Sequence, residues 1–202
     1  MTRDPTPLLL ELGAATLAES GGRPLASGLQ PVWTGAVLAA PAVPVRCTAG
    51  DNLSIHHAVA VSPAGAALVA AVDDAPDLGW WGEVLTIAAQ ARGLAGLVID
   101  AKVRDTAAIA QHGFPVWARG VALPGARKVV AGTVGQPVTM RDALVEAGDW
   151  VVADGDGVVI VPGGSLDDVL AAGRRRAERE AVMFEELRGG RTTVDLLDLP
   201  QP

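Results

Sequence analysis

The sequence predicts a layered α/β domain with a mixed sheet at its centre, and three observations carry that reading. Half of the 202 residues are hydrophobic and only 3% are aromatic, with Ala, Val and Leu dominant. Packing therefore falls to small aliphatic side chains, a usage typical of globular α/β or α+β domains. Short apolar runs are interleaved with stretches of helical period. The first half of the chain reads as βαβ units and the second half as hairpins, so the strands cannot all be parallel.

Residues 8–17 carry apolar side chains at helical spacing and stop at Gly21-Gly22, which predicts an N-terminal helix. The prolines between residues 38 and 45 predict an edge strand over 43–47, because proline cannot donate to a central ladder. Asp51 is the expected N-cap of a helix from 52 to about 61. Residues 67–72 read as a buried strand, closed by the acidic turn Asp73-Asp74-Ala75-Pro76-Asp77. Gly79-Trp80-Trp81-Gly82-Glu83 then opens a helix reaching about Arg92, with Gly93 past its end. The pair Trp80-Trp81 is expected to serve packing or a subunit contact. A short strand at 97–99 leads through a turn at Ala101-Lys102 into a helix over 105–111.

Further strands are expected near 116–117, 129–130, 150–153 and 158–161, the last two joined as a hairpin by Asp154-Gly155-Asp156-Gly157. Ser165-Leu166-Asp167-Asp168 reads as a capping box for a long C-terminal helix ending about Leu187. No repeat or linker interrupts the chain. One domain is expected over 1–202, comprising an N-terminal helical segment (1–30), a core (31–163) and a C-terminal helix with tail (164–202).

The net charge of −7 argues against nucleic acid, whose binding rests on basic patches. The cluster Arg174-Arg175-Arg176 is followed by Glu178, Glu180, Glu185 and Glu186, which suggests a solvated helix face with Arg174–Glu178 and Arg176–Glu180 pairs. Cys47 is the only cysteine, expected as a buried small hydrophobe. The N-terminus lacks the blocks of a signal peptide, and the most apolar stretch, 58–72, is too short and too broken to span a bilayer. A cytoplasmic protein with no membrane association is expected. His56, His57 and His112 have no partner at metal spacing and read as structural or surface residues.

The chemistry concentrates between Gly82 and Asp105. At a helix start the first backbone N–H groups lack intrahelical partners, so Gly82-Glu83-Val84-Leu85 can hold an anion. Residues 98–105 carry a buried strand into a turn that delivers Arg104 and Asp105 together. The guanidinium of Arg104 can grip a carboxylate, and Asp105 offers a hard oxygen to Mg²⁺. Read alone, each of these is equally a turn, a first-turn carboxylate and a capping Asp.

The spacing from Glu83 to Arg104-Asp105 joins a wider set of motifs: Gly50-Asp51-Asn52-Leu53, Trp81-Gly82-Glu83-Val84-Leu85, Val103-Arg104-Asp105, Phe114-Pro115-Val116 and Asp154-Gly155-Asp156-Gly157. Together they resemble the family of 4-hydroxy-4-methyl-2-oxoglutarate aldolases, which includes the regulator of ribonuclease E activity. The resemblance implies a β/β/α swivelling-domain-like fold. It also implies a divalent-metal-dependent aldolase and decarboxylase acting on 2-oxo acids of this type, and on oxaloacetate, to release pyruvate through a metal-stabilised enolate. In those terms Gly82, Glu83, Val84 and Leu85 would hold the substrate carboxylate, together with Arg104. Asp105 would anchor Mg²⁺ (or Mn²⁺), and a metal-bound or Glu83-associated water would carry the proton. Glu180, with Glu178 and Glu185 as competitors, would complete a neighbouring subunit's site in a homotrimer or hexamer.

The alternative within the family is a non-catalytic regulator that binds a ribonuclease. Retention of Glu83, Asp105 and the charged C-terminal helix favours the enzyme. The turn Asp100-Ala101-Lys102-Val103 departs from the family's Asp-Gly, and Lys102 is expected to add a cation near the pocket.

Overall fold

The computed structural model describes residues 4–201; Met1–Arg3 and Pro202, at the ends of the first and last expected segments, lie outside them. Helix α1 (Thr6–Ala18) is followed by β1 (Arg23–Pro24), β2 (Gln30–Pro31) and the long strand β3 (Leu38–Cys47). Then come α2 (Leu53–Val61), β4 (Ala67–Val72), α3 (Glu83–Ala91), β5 (Gly96–Ile99), β6 (Lys102–Val103), α4 (Thr106–Gln111), β7 (Val116–Ala118) and β8 (Gly120–Val121). The chain continues through β9 (Thr133–Val134), β10 (Val138–Met140), β11 (Ala143–Val145), β12 (Trp150–Ala153) and β13 (Val158–Val161), and closes with α5 (Leu166–Arg188) and α6 (Thr193–Leu196).

A mixed sheet in the order β1-β13-β12-β3-β4-β5-β7-β2 organises the molecule, with β9 also pairing β3. Strands β3, β4, β5 and β7 run parallel to one another, whereas β12 is antiparallel to β3 and β13, and β2 is antiparallel to β7. Alternation along these strands builds the layers. Leu68, Ala70, Leu97, Ile99, Val116 and Ala118 face one core beneath α2, α3 and α4. Ala67, Val69, Val98 and Trp117 face a second core closed by the β10–β11 hairpin. A third cluster seats α1 and the first turns of α5 on β12, β13 and Ala39. The result is the layered mixed α/β arrangement, with an N-terminal helix and a long C-terminal helix.

Four local expectations change. Strand β3 is central, not an edge: β4 pairs along one side over Ala42–Cys47 while β12 and β9 share the other. Pro41 sits at the last β12 position and Pro44 just before β9 begins, so both fall where the strand exchanges neighbours. Residues 129–130 form a loop. Ser165 is the N-cap of α5 but makes no side-chain cap; its hydroxyl donates to Pro162 O. On the same helix Arg176 pairs with Glu180 (2.8 Å) and with Glu19 just past the end of α1, whereas an Arg174–Glu178 pair is absent among the described residues. Cys47 is buried as expected, and burial pushes its thiol up to about 11. No helix among the described residues is long and apolar enough to cross a membrane.

Helix α1 contains one break. Gly13 has φ 72° and ψ 168°, a region essentially closed to other residues, and this turns the N–H of Ala14 onto Asp154 Oδ2 at 2.8 Å. A Cβ at residue 13 would meet that same oxygen at 3.1 Å. Gly13→Ala is therefore expected to cost about 1–3 kcal/mol. Urea unfolding checks this: an unchanged midpoint would show that the kink is not required for α1 to seat.

Candidate functional site

The parallel strands deliver the site. The loops that follow the carboxyl ends of β3, β4, β5 and β7 meet on one edge of the sheet, where open α/β sheets place ligands. Backbone bonds stitch three of them together: Trp80 N to Lys102 O (3.0 Å), Arg104 N to Trp81 O (2.9 Å) and Gly79 N to Pro124 O (2.7 Å). A cavity of about 140 Å³ opens among them, lined by Asn52, His56, Gly82, Arg104, Asp105 and Lys128 with their neighbours. That is well below the roughly 300–1,000 Å³ of drug-sized ligand sites, so a short acid suits it better than a large cofactor.

Close approach of backbone to Arg104 and Asp105 depends on glycines. Gly82 has an extended backbone (φ −164°), so its requirement is space. A Cβ there would collide with Asp105 Oδ2 and lie 3.1 Å from Arg104 Cγ. At Gly79 a Cβ would meet Ala122 O at 2.6 Å and the Arg104 side chain at 3.0 Å. Asp105 itself is left-handed (φ 56°), a conformation Asp tolerates better than most residues. Its carboxylate leaves its own helix uncapped and reaches across to accept the N–H of Glu83 at 3.1 Å, with Arg104 Nε 3.6 Å away.

Helix α3 begins at Glu83. Its N–H is committed to Asp105, while the N–H groups of Val84 and Leu85 have no acceptor among the described residues. Two donors thus remain for an anion, next to Arg104. The Glu83 carboxylate turns aside to His112, with Nε2 and Oε1 3.0 Å apart. That partner for His112 comes from the packing of α3 against α4 and not from sequence spacing. Lys102 pairs with Asp77 at 2.8 Å and is absent from the cavity lining, so the expected extra cation near the pocket is not there. Ala101 is buried and is not left-handed, which removes the conformational concern about its replacing Gly. Glu180 sits on α5 against Arg176, apart from this cavity.

The opposite wall is built from residues that the sequence presents as structural or does not mark. Asn52 is 4% exposed; its Nδ2 donates to Trp80 O at 2.8 Å, and its Oδ1 is buried without a partner. The Nε2 of His56 is likewise buried and unpaired. Burial, with Lys128 and then His57 nearby, holds the His56 pKa below its ordinary 6.5. Lys128 supplies the second cation of the lining. The signal was present in Gly50-Asp51-Asn52, but nothing in the spacing joins it to residue 128. Trp80 and Trp81 are fully buried; Trp81 stacks on Phe114 with centroids 5.8 Å apart and donates to Thr86 Oγ1 at 2.8 Å.

For a metal, no group of three or more His, Cys, Asp or Glu side chains converges among the described residues. A mostly hydrated Mg²⁺ needs only one or two protein carboxylates. Asp105 fits that role, being 42% exposed with Oδ1 free of hydrogen bonds among the described residues.

The profile of the RraA-like family (aldolase/RraA) matches residues 14–160. A protein of Halalkalibacterium halodurans, provisionally named a 4-hydroxy-4-methyl-2-oxoglutarate aldolase, is 28% identical over 158 residues, covering 78% of this chain and 75% of its own. An uncharacterized protein from Pseudomonas syringae superposes with a TM-score of 0.81 at 23% identity over 91% of this chain and 90% of its own. Streptomyces coelicolor RraAS2, described as an unusual member of the RNase ES inhibitor RraA family, gives 0.77 at 24% over 88% and 94%.

His56 offers a direct check of the cavity. A depressed pKa means its contribution to stability is whole above pH 6.5 and is lost as the pH falls through its folded value. NMR titration is expected to place that value below 6.5 in the free protein and to move it upward with saturating oxalate, since an anion favours the imidazolium. A value of 6.5 or more in the free protein would mean that Nε2 is solvated.

Proposed function

The chain belongs to the RraA-like family, and from that premise we propose that it is a divalent-metal-dependent aldolase and decarboxylase of short 2-oxo acids, releasing pyruvate. The observation that carries the reading is the convergence on one small cavity of two free helix N–H groups, a guanidinium and an adjacent carboxylate. This is the donor set for a 2-oxo carboxylate beside an oxygen that gains negative charge.

The residues divide the work by chemistry. The N–H groups of Val84 and Leu85 take the carboxylate at the helix start, and Gly82 leaves the room for Arg104 and Asp105 to lie against that start. Arg104 adds fixed positive charge to the 2-oxo oxygen as the carbon–carbon bond breaks, so no lysine Schiff base is required. Bound at Asp105, Mg²⁺ or Mn²⁺ would supply Lewis acidity toward the same oxygen. Asn52 Oδ1 offers an acceptor to a hydroxyl of the departing portion, and neutral His56 can exchange a proton with it. Lys128 faces the cavity as a cation for a second carboxylate, which fits a dicarboxylate such as 4-hydroxy-4-methyl-2-oxoglutarate or oxaloacetate.

The reading also carries an assembly. Val84, Leu123 and Val129 beside the cavity are between 76% and 81% exposed, an apolar rim that a second copy of the chain would cover. A homotrimer or hexamer would use this rim and could bring Glu180 of α5 to a neighbour's site.

Incubation with Mg²⁺ and either acid, with pyruvate followed by a coupled dehydrogenase, tests the reading. Metal-dependent pyruvate is expected, and Arg104→Ala and Asp105→Asn are each expected to lower kcat by about a hundredfold or more. Equal rates in the variants, or no pyruvate, would overturn it. The second outcome would favour the regulator alternative, which predicts a stable complex with a ribonuclease and no turnover.

A further inference from the structure

Lys128 lies on a stretch with little to hold it. Lys128, Val129 and Val130 are all exposed, so burial does not fix their path. Hydrogen bonds do. Asp51, 1% exposed, accepts the N–H groups of Val129 (2.7 Å) and Val130 (3.0 Å) on Oδ2, and that of Leu53 (3.0 Å) on Oδ1. Around it Asn52 N donates to Arg127 O and Arg127 N to Gly50 O, both at 2.9 Å, while Thr48 Oγ1 donates to Val130 O at 3.2 Å. One buried carboxylate thus ties the residues beside Lys128 to the residue beside Asn52, across a sequence separation of 78.

We propose that Asp51 is a positioning residue that fixes Lys128 at the cavity and thereby sets a preference for dianionic over monoanionic acids. The selectivity rests on the oxyacid-pocket reading above; the fixing of the loop does not. Asp51 touches no ligand and acts through the backbone of residues 129 and 130. Its charge matters because a carboxylate accepts three N–H groups where a carboxamide offers one oxygen and presents N–H to the rest. Burial works against ionisation, but the amides of Val130, Val129 and Leu53, with Arg127, hold the pKa below its usual 3.8, so the clamp is charged wherever the protein is handled near neutrality.

The test uses the full chain, Asp51→Asn, Lys128→Met and the double variant. Malate and lactate serve as probes, since they share a 2-hydroxy acid skeleton and differ in the second carboxylate. Binding is read by calorimetry and the amides of Val129 and Val130 by hydrogen exchange. Asp51→Asn is expected to weaken malate by about tenfold and lactate by no more than about twofold. Lys128→Met should do the same, and the double variant should be no weaker than Lys128→Met alone, because the two residues act through one contact. Exchange at Val129 and Val130 should accelerate in Asp51→Asn and stay slow in Lys128→Met, whose exposed side chain can change without disturbing the fold.

Equal weakening of both acids, or additive losses in the double variant, would overturn the selectivity. Unchanged exchange at Val129 and Val130 would overturn the positioning role. Wild-type protein that binds neither acid would instead overturn the pocket reading and the selectivity with it, while the exchange result still decides whether Asp51 holds the loop.

Discussion

The start of α3 lies against Arg104 and Asp105 only because residue 82 has no side chain. Space for even one methyl group is missing there, since Asp105 Oδ2 already occupies it. From that approach the rest of the site follows. The N–H of Glu83 reaches Asp105, the next two N–H groups stay open, and Arg104 packs beside Gly79, Gly82 and Gly125 with its charge toward the cavity. Backbone donors and guanidinium are therefore set before any ligand arrives, which is the condition for electrostatic stabilisation without reorganisation.

The sheet makes this arrangement repeatable. Four neighbouring strands end at one edge, and each sends a loop to the cavity: residues 50–56 after β3, 79–85 after β4, 101–105 after β5 and 119–128 after β7. Behind the site the strands are apolar on both faces, so their ends cannot move independently. Buried Asp100 joins them from below, paired with Arg119 (2.6 Å) and Arg141 (2.9 Å) just before the turn that delivers Arg104. The chemistry is thus carried on loops and the geometry on strands.

What the sequence made legible was whatever is local. Alternation and period located β4, β5, β12, β13 and α3 to within a residue or two, and the helix start at Gly82 with Arg104-Asp105 could be read as half of a site. The misreadings are non-local. Pro41 and Pro44 suggested an edge because the sequence does not show that β3 changes partners along its length. Asp51 looked like no more than a helix cap because two of the three N–H groups it binds lie 78 and 79 residues away, and only that of Leu53 is local. Lys102 looked like a site cation until Asp77 claimed it, and Lys128, which faces the cavity, has no nearby motif to mark it. Val138–Met140 and Ala143–Val145 went unread because three-residue strands carry too little alternation to register.

The central claim is that the absence of a side chain at residue 82 makes the oxyacid site. Gly82→Ala, with Gly164→Ala as a control in open space, tests it most directly through oxalate binding and urea unfolding measured side by side. The account predicts that Gly82→Ala keeps a cooperative unfolding transition yet binds oxalate at least about tenfold more weakly. Gly164→Ala should bind as the unmodified protein does. Oxalate binding unchanged by a methyl group at residue 82 would contradict the account.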